Sequence, residues 1–451
     1  MLTKVAVTVY AGGLVFQQVF GIKELWGIDF FWIAAIGLVV LTALYTIFGG
    51  MKSVLYTSVL QTPILLLGSL IILVLGFKEL GGWDEMMRVC GAVTVNDYGD
   101  TMTNLIRSND DANFPWLGAL IGSAIIGFWY WCTDQFIVQR VLSGKNEMEA
   151  RRGTIFGAYL KLLPVFLFLI PGMIAFALHQ KYIGAGGEGF LPMLANGTAN
   201  ADAAFPTLVA KLLPAGVKGL VVCGILAALM SSLASLFNSS AMLFTIDFYK
   251  RFRPETPEKK LVGIGQVATV VIVILGILWI PIMRSVGDVL YTYLQDVQSV
   301  LAPGIAAAFL LGICWKRTSA QGGMWGLIAG MVIGLTRLGA KVYYSNAGEV
   351  ADSTFKYLFY DMNWLFFCGW MFLFCIIVVI VVSLATKAPT AEKIQGLVFG
   401  TATKEQKAAT RASWNHWDII HTVIILAITG AFYWYCLLYT SPSPRDMRRS
   451  R

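Results

Sequence analysis

Apolar segments about 20 residues long recur from one end of the chain to the other, and they restrict the fold more than any other feature. A helix needs about 20 apolar residues to cross the hydrocarbon core of a bilayer. Backbone N–H and C=O groups must be paired in lipid, so spanning segments of this length fold as α-helices. The segments predict helices near residues 2–22, 29–49, 53–77, 116–139, 153–178, 216–246, 261–283, 288–314, 321–338, 364–386 and 417–438. The predicted fold class is all-α, a polytopic membrane protein with about eleven transmembrane helices.

The composition leaves no room for a sizeable soluble domain. Hydrophobic residues make up 57% of the chain and charged residues 13%, about half the charged share of a soluble domain. We therefore predict one transmembrane domain over residues 1–438. Residues 439–451 change abruptly to Ser, Pro and Arg, and we interpret them as a non-native or disordered tail.

Lys and Arg concentrate in alternate connections between the predicted helices, which indicates an orientation. The basic connections are 140–152, 250–260, 316–317 and 387–411, whereas 81–115, 179–214 and 339–363 carry fewer basic residues. Basic connections remain on the cytoplasmic side of a membrane. The net charge of +8 is thus explained by loop bias, and it predicts no nucleic-acid partner. The predicted location is the cell membrane, with several passes through the lipid bilayer.

One predicted helix combines large rings with polar groups. It contains Phe128-Trp129-Tyr130-Trp131-Cys132-Thr133-Asp134-Gln135. Polar groups at membrane depth need partners or water and often mark a solute pathway. Rings can stack on a hydroxylated solute while amides and charges bind its hydroxyls, so the segment predicts a solute-binding site.

Several motifs resemble the sodium/solute symporter family, and in particular its sodium/glucose cotransporter branch. They are Tyr45-Thr46-Ile47-Phe48-Gly49-Gly50-Met51-Lys52-Ser53, Trp129-Tyr130-Trp131-Cys132-Thr133-Asp134-Gln135, Tyr159-Leu160-Lys161-Leu162-Leu163-Pro164, Leu229-Met230-Ser231-Ser232-Leu233-Ala234-Ser235 and Tyr293-Leu294-Gln295. The two glycines of the first motif predict a sharp turn between the helices 29–49 and 53–77. The order and spacing of the motifs fit this family from residue 1 to about residue 436.

The resemblance implies an inverted-repeat fold of five plus five helices, with solute and ion bound near the midplane where helices break. Leu2-Thr3-Lys4-Val5-Ala6 resembles the middle of the third core helix of that fold. We therefore expect an N-terminally incomplete chain that lacks the first helices, which supply part of the site in the family.

The resemblance also implies substrate-binding residues. Tyr130 matches a ring that closes over the sugar from the cytoplasmic side, and Trp131 matches the neighbour of that ring. Lys161 matches a donor to sugar hydroxyls, and Gln295 matches a sugar-binding amide. Three alternatives remain open: an interfacial aromatic belt for the rings, a lysine that extends to the membrane surface, and helix–helix hydrogen bonds for the amide.

For sodium, the resemblance indicates Ser231 and Ser232, although serines in a span also commonly pack helices together. Ser58 stands where relatives that carry two sodium ions have Asp, and Ala234 stands where they have Thr. The loss of both ligands predicts one sodium ion per solute.

The resulting hypothesis is sodium-coupled symport of a sugar, a hexose, across the plasma membrane by alternating access. Inositol or another small organic solute remains the alternative, as does an inactive fragment of such a transporter. The expected partners are a small sugar or polyol, the sodium ion and the bilayer. The three His and seven Cys show no metal or catalytic pattern, so we expect no enzyme and no cofactor other than sodium as the coupling ion.

Overall fold

The computed structural model describes residues 2–97, 99–194, 197–284, 290–346 and 353–440, which are almost entirely helical. Residues 441–451, most of the predicted tail, lie outside the described part of the chain. The first half contains α1 (Leu2–Phe20), a hairpin of β1 (Glu24–Leu25) and β2 (Ile28–Asp29), α2 (Phe30–Leu80), α3 (Trp83–Gly91), α4 (Trp116–Cys132), α5 (Gln135–Leu142), α6 (Glu147–Pro164), α7 (Ile170–Gly184), α8 (Ala204–Leu212) and α9 (Ala215–Met242). The second half contains α10 (Lys250–Phe252), α11 (Glu258–Arg284), α12 (Leu290–Cys314), α13 (Ala320–Asn346), α14 (Thr354–Lys356), α15 (Trp364–Ala385), α16 (Ala391–Ile394), α17 (Lys404–Ala412) and α18 (His416–Thr440).

Short tighter or wider helical turns join some of these helices. A 3₁₀ turn, Ala201–Ala203, precedes α8, and π-helical turns occupy Val165–Leu169, Leu243–Tyr249 and Tyr357–Asp361. The first two π-helical turns continue their helices without a break, so α6 runs into α7 and α9 runs into α10. The resulting apolar spans, Glu147–Gly184 and Ala215–Phe252, are each 38 residues long. They extend beyond the predicted helices 153–178 and 216–246.

The predicted turn at Gly49-Gly50 is wrong, because α2 is a single helix of 51 residues where two helices were predicted. At 1.5 Å per residue it is about 75 Å long, more than twice the thickness of the hydrocarbon core of a bilayer. Its two apolar parts, Phe30–Ile47 and Leu55–Leu80, are each long enough to cross a membrane. Glycine permits a turn but does not impose one, and the neighbouring residues are compatible with a helix.

The number of spans also differs from the prediction. Within the described residues, nine segments are long and apolar enough to cross a membrane, or ten if the pair α4–α5 is one bent span. The predicted helix 2–22 is not among them, because Lys4, Gln17 and Gln18 make α1 less apolar. The predicted helix 116–139 is interrupted between α4 and α5, which meet at an angle of 45°.

The chain forms two compact units. The first contains residues 1–95, 101–103 and 160–290, and the second contains residues 96–100, 104–159 and 291–451. In the first unit, α2 and α9 pack closely because small residues face the partner helix. A Cβ at Gly68 would lie 2.7 Å from the Val221 side chain, and one at Gly224 would lie 3.0 Å from Ile64. This close approach brings polar groups of the two helices together.

The second unit is built around α4, α12, α13 and α15. Ile125 and Trp129 of α4 are buried with Ala302 and Ala306 of α12 and Leu365 of α15. At the crossing of α12 and α13, a Cβ on Gly330 would lie 3.0 Å from the Cα of Gly304. Small residues thus let these helices approach closely enough for their polar side chains to pair.

Candidate sodium and substrate sites

Serines spaced four residues apart form a buried stripe on α9. Ser231, Ser235 and Ser239 are all buried, and this spacing places them on one face of the helix. The Ser235 hydroxyl donates to the Ser231 carbonyl at 3.0 Å, and the Ser239 hydroxyl donates to the Ser235 carbonyl at 2.7 Å. Bonds of this kind satisfy a hydroxyl within its own helix. The Ser231 hydroxyl instead has a partner on another helix.

That partner is Ser58 of α2, whose Oγ lies 2.6 Å from the Oγ of Ser231. Beside the pair, the Tyr45 hydroxyl donates to the Met230 carbonyl at 2.8 Å. Ser58 is half-buried and Ser231 is buried, so the two hydroxyls lie inside the first unit. Hard cations bind several oxygen ligands, and hydroxyl and carbonyl oxygens supply them without a buried charge. The pair therefore has the chemistry of part of a sodium site.

Ser232, the second predicted sodium ligand, and Ala234, where two-sodium relatives have Thr, differ in burial. Ser232 is half-buried, and Ala234 is fully buried. The hydroxyl contact between α2 and α9 involves Ser58 and Ser231, and not Ser232. The Ser58 position, which was singled out only as a departure from the family pattern, is thus adjacent to a predicted ligand.

The aromatic and polar segment forms the break between α4 and α5. The Asp134 side chain accepts the Phe136 N–H at 3.2 Å and begins α5, and the Thr133 hydroxyl donates to the Trp129 carbonyl at 2.8 Å. The Asp134 carboxylate is buried even though the segment around it is apolar. Such a break exposes backbone groups to possible ligands, as in transporters with interrupted helices.

Tyr130 and Trp131 differ in their surroundings. Tyr130 is half-buried and packs against the buried cluster formed by α4, α12 and α15, and its ring centroid lies 5.2 Å from that of Trp131 in an edge-to-face arrangement. Trp131 is 51% exposed. The position of Tyr130 fits a ring that packs against the helix bundle, while the exposure of Trp131 is also compatible with an interfacial aromatic belt.

The four predicted substrate-binding residues are divided between the two compact units. Gln295 is half-buried on α12, and Tyr130 packs against the buried cluster to which α12 contributes Ala302 and Ala306. Lys161 is exposed on α6 and belongs to the first unit, whereas Tyr130, Trp131 and Gln295 belong to the second.

The sequence interpretation missed a charged cluster next to Gln295. The Lys341 ammonium donates to the Asp296 carboxylate at 2.6 Å, and the Arg337 guanidinium lies 3.6 Å from the other oxygen of this carboxylate. Arg337 and Lys341 are four residues apart on α13, which places them on one helix face. That spacing was a usable signal, but the predicted helix ended at residue 338 and so excluded Lys341 from the span.

Arg337 is fully buried and is held from several sides. Its guanidinium donates to the Met362 carbonyl at 2.7 Å and lies 4.1 Å from the centre of the Phe367 ring. A buried charge needs pairing and hydrogen bonds to offset its lost hydration. Two cations and one carboxylate satisfy this requirement in part and leave the cluster with a net positive charge.

Many apolar helices, with a hydroxyl pair across two of them and a charged cluster between two others, define a multi-pass helical membrane protein with polar groups inside it. The family model described as "Sodium:solute symporter family" matches residues 1–330, about three quarters of the chain. The chain therefore belongs to the sodium:solute symporter family.

The relatives include three groups of cotransporters. The chain is 34% identical to a sodium/mannose cotransporter of Bos taurus over 96% of its own length and 75% of that protein. It is 35% identical to sodium/myo-inositol cotransporter 2 of Homo sapiens over 89% of its own length and 60% of that protein. It is 34% identical to sodium/glucose cotransporter 4 of Mus musculus over 89% of its own length and 59% of that protein. The chain thus spans between about three fifths and three quarters of these relatives.

A solved structure shares the fold. It is a Na⁺-coupled sialic acid symporter in a substrate-bound outward-open state, with a TM-score of 0.62 and 21% identity over 86% of this chain and 74% of that one. This likeness and the family match confirm the predicted all-α polytopic transporter fold and the family. They also confirm a multi-pass location in the cell membrane and a symporter instead of an enzyme. Sodium as the coupling ion, with no cofactor indicated, agrees with the family.

Proposed function

We propose that the protein couples inward movement of one sodium ion to transport of one sugar, a hexose, by alternating access. The observation that carries this proposal is the contact of 2.6 Å between the Ser58 and Ser231 hydroxyls, on two helices of a sodium:solute symporter. Uncharged oxygens can release the ion after binding it, because no buried charge is left unpaired when the ion leaves. We also propose that residues 1–438 act as one transporter domain.

In this proposal Ser231 and Ser232 are sodium ligands. Ser58 stands where two-sodium relatives have Asp, so this position lacks their carboxylate. Ala234 stands where they have Thr, so that position lacks their hydroxyl. A second cation would then have to bind without an anionic ligand next to Ser231, which is unfavourable in an apolar region. One sodium ion per sugar follows.

Tyr130, Trp131, Lys161 and Gln295 are the proposed substrate-binding residues. Rings cover the apolar face of the sugar, and the ammonium and amide bind its hydroxyls. The support for a sugar comes from the names of the relatives, which include mannose and glucose cotransporters. Myo-inositol is the second candidate because the chain is about as similar to an inositol cotransporter as to the mannose and glucose cotransporters. Like a hexose, myo-inositol is a six-membered ring that carries several hydroxyls.

Coupling requires that sodium favours the state to which the sugar binds more tightly. By linkage, the sugar then raises sodium affinity by the same factor. Each positive charge that crosses a potential of 100 mV contributes about 2.3 kcal/mol. A single sodium ion therefore allows less sugar accumulation than two ions would.

The test is uptake of labelled glucose, mannose and myo-inositol by liposomes that contain the purified chain. We expect an inward sodium gradient to raise the uptake of a hexose more than that of myo-inositol. The Hill coefficient for sodium should be near one, as for a single coupled ion. Ser231→Ala should lower the sodium affinity, and Ser239→Ala, which removes a hydroxyl that bonds within its own helix, is the matched control. Uptake of myo-inositol above both hexoses would overturn the substrate assignment, and uptake independent of sodium would overturn the coupling.

A further inference from the structure

Two helices of the second unit lie side by side at their N-terminal ends. The Arg151 guanidinium at the start of α6 donates to the Ser413 hydroxyl at 3.1 Å, just before α18. About two turns farther, the Tyr159 hydroxyl lies 3.0 Å from the His421 Nδ1 of α18. Between these contacts is a cavity of about 380 Å³, lined by Arg152, Ile155, Phe156, Tyr159, Asn415, Trp417, Asp418 and His421.

The lining of this cavity combines opposite charges with aromatic faces. Arg152 is exposed, whereas Asp418 is buried and accepts the Asn415 backbone N–H at 2.9 Å. Trp417 and Tyr159 each have their ring centroids within about 6 Å of the His421 ring, at 6.3 and 5.8 Å respectively. A guanidinium binds phosphate oxygens, and aromatic faces beside a carboxylate attract an ammonium group.

The cavity lies where both helices enter the apolar part of the membrane. The spans Glu147–Gly184 and His416–Cys436 both begin beside it. The connections before these spans are the basic segments 140–152 and 387–411. Farther along α18, Val423 and Leu426 are 57% and 65% exposed in the structure and can contact acyl chains. The cavity is therefore at the level of lipid head groups, with an apolar surface continuing from it.

We propose that this cavity binds the zwitterionic head group of a glycerophospholipid, one that carries both a phosphate and an ammonium group. Arg152 binds the phosphate, and Trp417, Tyr159 and Asp418 hold the ammonium, while the acyl chains follow the exposed face of α18. One guanidinium and one carboxylate match the two charges of such a head group, whereas the Asp418 carboxylate disfavours a head group that is only anionic. The proposal does not depend on the transported solute.

The experiment compares lipid binding to the purified full chain. The protein is exchanged into detergent with phosphatidylcholine, phosphatidylethanolamine or phosphatidylglycerol of identical acyl chains, and retained lipids are counted by native mass spectrometry. We expect retention of the two zwitterionic lipids over phosphatidylglycerol. Preferential retention of phosphatidylglycerol would overturn the proposal. Saturable binding of soluble phosphocholine that displaces the retained lipid would assign the site to a free phosphate ester instead of a lipid.

Two variants with matched controls test the assigned contacts. Trp417→Leu should lower the preference for phosphatidylcholine over phosphatidylglycerol about fivefold, because the ammonium loses an aromatic face. Trp370→Leu, at a 65% exposed tryptophan of α15, should leave this preference unchanged.

Arg152→Gln should weaken the retention of all three lipids, and Arg251→Gln, at an exposed arginine on α10, should not. Equal effects of a variant and its control would overturn the assignment of that contact. Size-exclusion profiles that match the unaltered chain confirm that each variant is folded.

Discussion

The hydroxyl pair in the first unit and the charged cluster in the second are two different ways to hold polar atoms between membrane-spanning helices. Ser58 and Ser231 form one contact between neutral groups at 2.6 Å. Asp296 instead pairs with Lys341 at 2.6 Å and with Arg337 at 3.6 Å, and both helices contribute charges. Removal of a hydroxyl from the first site leaves no charge behind, whereas removal of any member of the second alters the charge of a buried cluster.

This difference separates a site suited to ion exchange from one suited to holding helices together. A sodium ion that enters the hydroxyl pair only reorients two weak dipoles. An ion that enters the charged cluster must compete with charge–charge contacts in a region of low dielectric constant. We therefore expect sodium dependence to follow changes at Ser231 and stability to follow changes at Asp296.

Asp296→Ala should cause the largest loss of stability. The substitution leaves the fully buried Arg337 and the partly buried Lys341 without their carboxylate. Breaking a fully buried pair typically costs about 3–5 kcal/mol, and the partial exposure of Asp296 and Lys341 makes this an upper bound. The measurement is the thermal unfolding midpoint of the detergent-solubilised protein.

A double variant checks the cause of that loss. Asp296→Ala combined with Lys341→Met has the same net charge in the cluster as the unaltered protein, so we expect it to recover part of the midpoint. If the double variant is less stable than Asp296→Ala alone, the charge argument is wrong and packing around Asp296 dominates.

Ser231→Ala should raise the sodium concentration for half-maximal uptake about tenfold, equivalent to about 1.4 kcal/mol. The substitution removes one oxygen ligand and leaves the fold of α9 unchanged, since alanine favours a helix. Sodium titration of uptake measures the shift, with Ser239→Ala as control. An equal shift in both variants would show that loss of packing, and not loss of a ligand, is responsible.

Ser58→Asp combined with Ala234→Thr should raise the ratio of sodium to sugar above that of the unaltered protein. The carboxylate would lie beside Ser231, where a second cation then finds an anionic ligand. The ratio is measured from reversal potentials in proteoliposomes. Ser58→Asn with Ala234→Thr is the matched neutral control and should keep the original ratio. A raised ratio in the neutral control would refute the need for a negative charge.

The smallest effect concerns Asp202, a carboxylate outside the membrane-spanning segments that accepts the Leu290 backbone N–H at 3.1 and 3.2 Å. Burial raises the pKa of the Asp202 carboxyl, and the bond from Leu290 opposes this shift in part. Between the ordinary and the raised pKa, the folded state keeps a proton that the unfolded state has lost. Stability is therefore complete below the ordinary pKa and falls as the pH rises through the raised value.

Asp202→Asn should remove this part of the pH dependence. Unfolding midpoints measured across the acidic range should become flatter than those of the unaltered protein. Asp110→Asn, at an exposed position, is the control and should leave the profile unchanged. A profile that stays the same in Asp202→Asn would assign the pH dependence to another group.

Particular residues show how far the sequence could predict this molecule. The apolar segments predicted α9, α11, α12 and α15 nearly to their ends, because burial in lipid depends on local composition. The same reasoning failed at Gly49-Gly50, where glycine allows two backbone paths, and at residue 338, where α13 continues past Arg337 to Asn346. The break at Asp134 is a local feature that helix-capping rules could have predicted.

The candidate site was predicted only in part. Ser231 and Ser232 were identified by resemblance, and Ser58 only as a departure from a pattern. Nothing in the sequence indicated that the Ser58 hydroxyl would contact that of Ser231. The Asp296–Lys341 pair was missed for the same reason, since its residues lie on separate helices 45 positions apart.

The sequence alone predicts a helical membrane protein, the places of most of its helices, and the residue types that could bind sodium and sugar. Local hydrophobicity and short motifs carry that information. The contact of Ser58 with Ser231, 173 residues apart, and the pairing of Asp296 with two cations depend on how the helices pack in three dimensions. The reason is physical: the face that each helix presents to its neighbour depends on how small residues such as Gly68 and Gly224 let the helices pack.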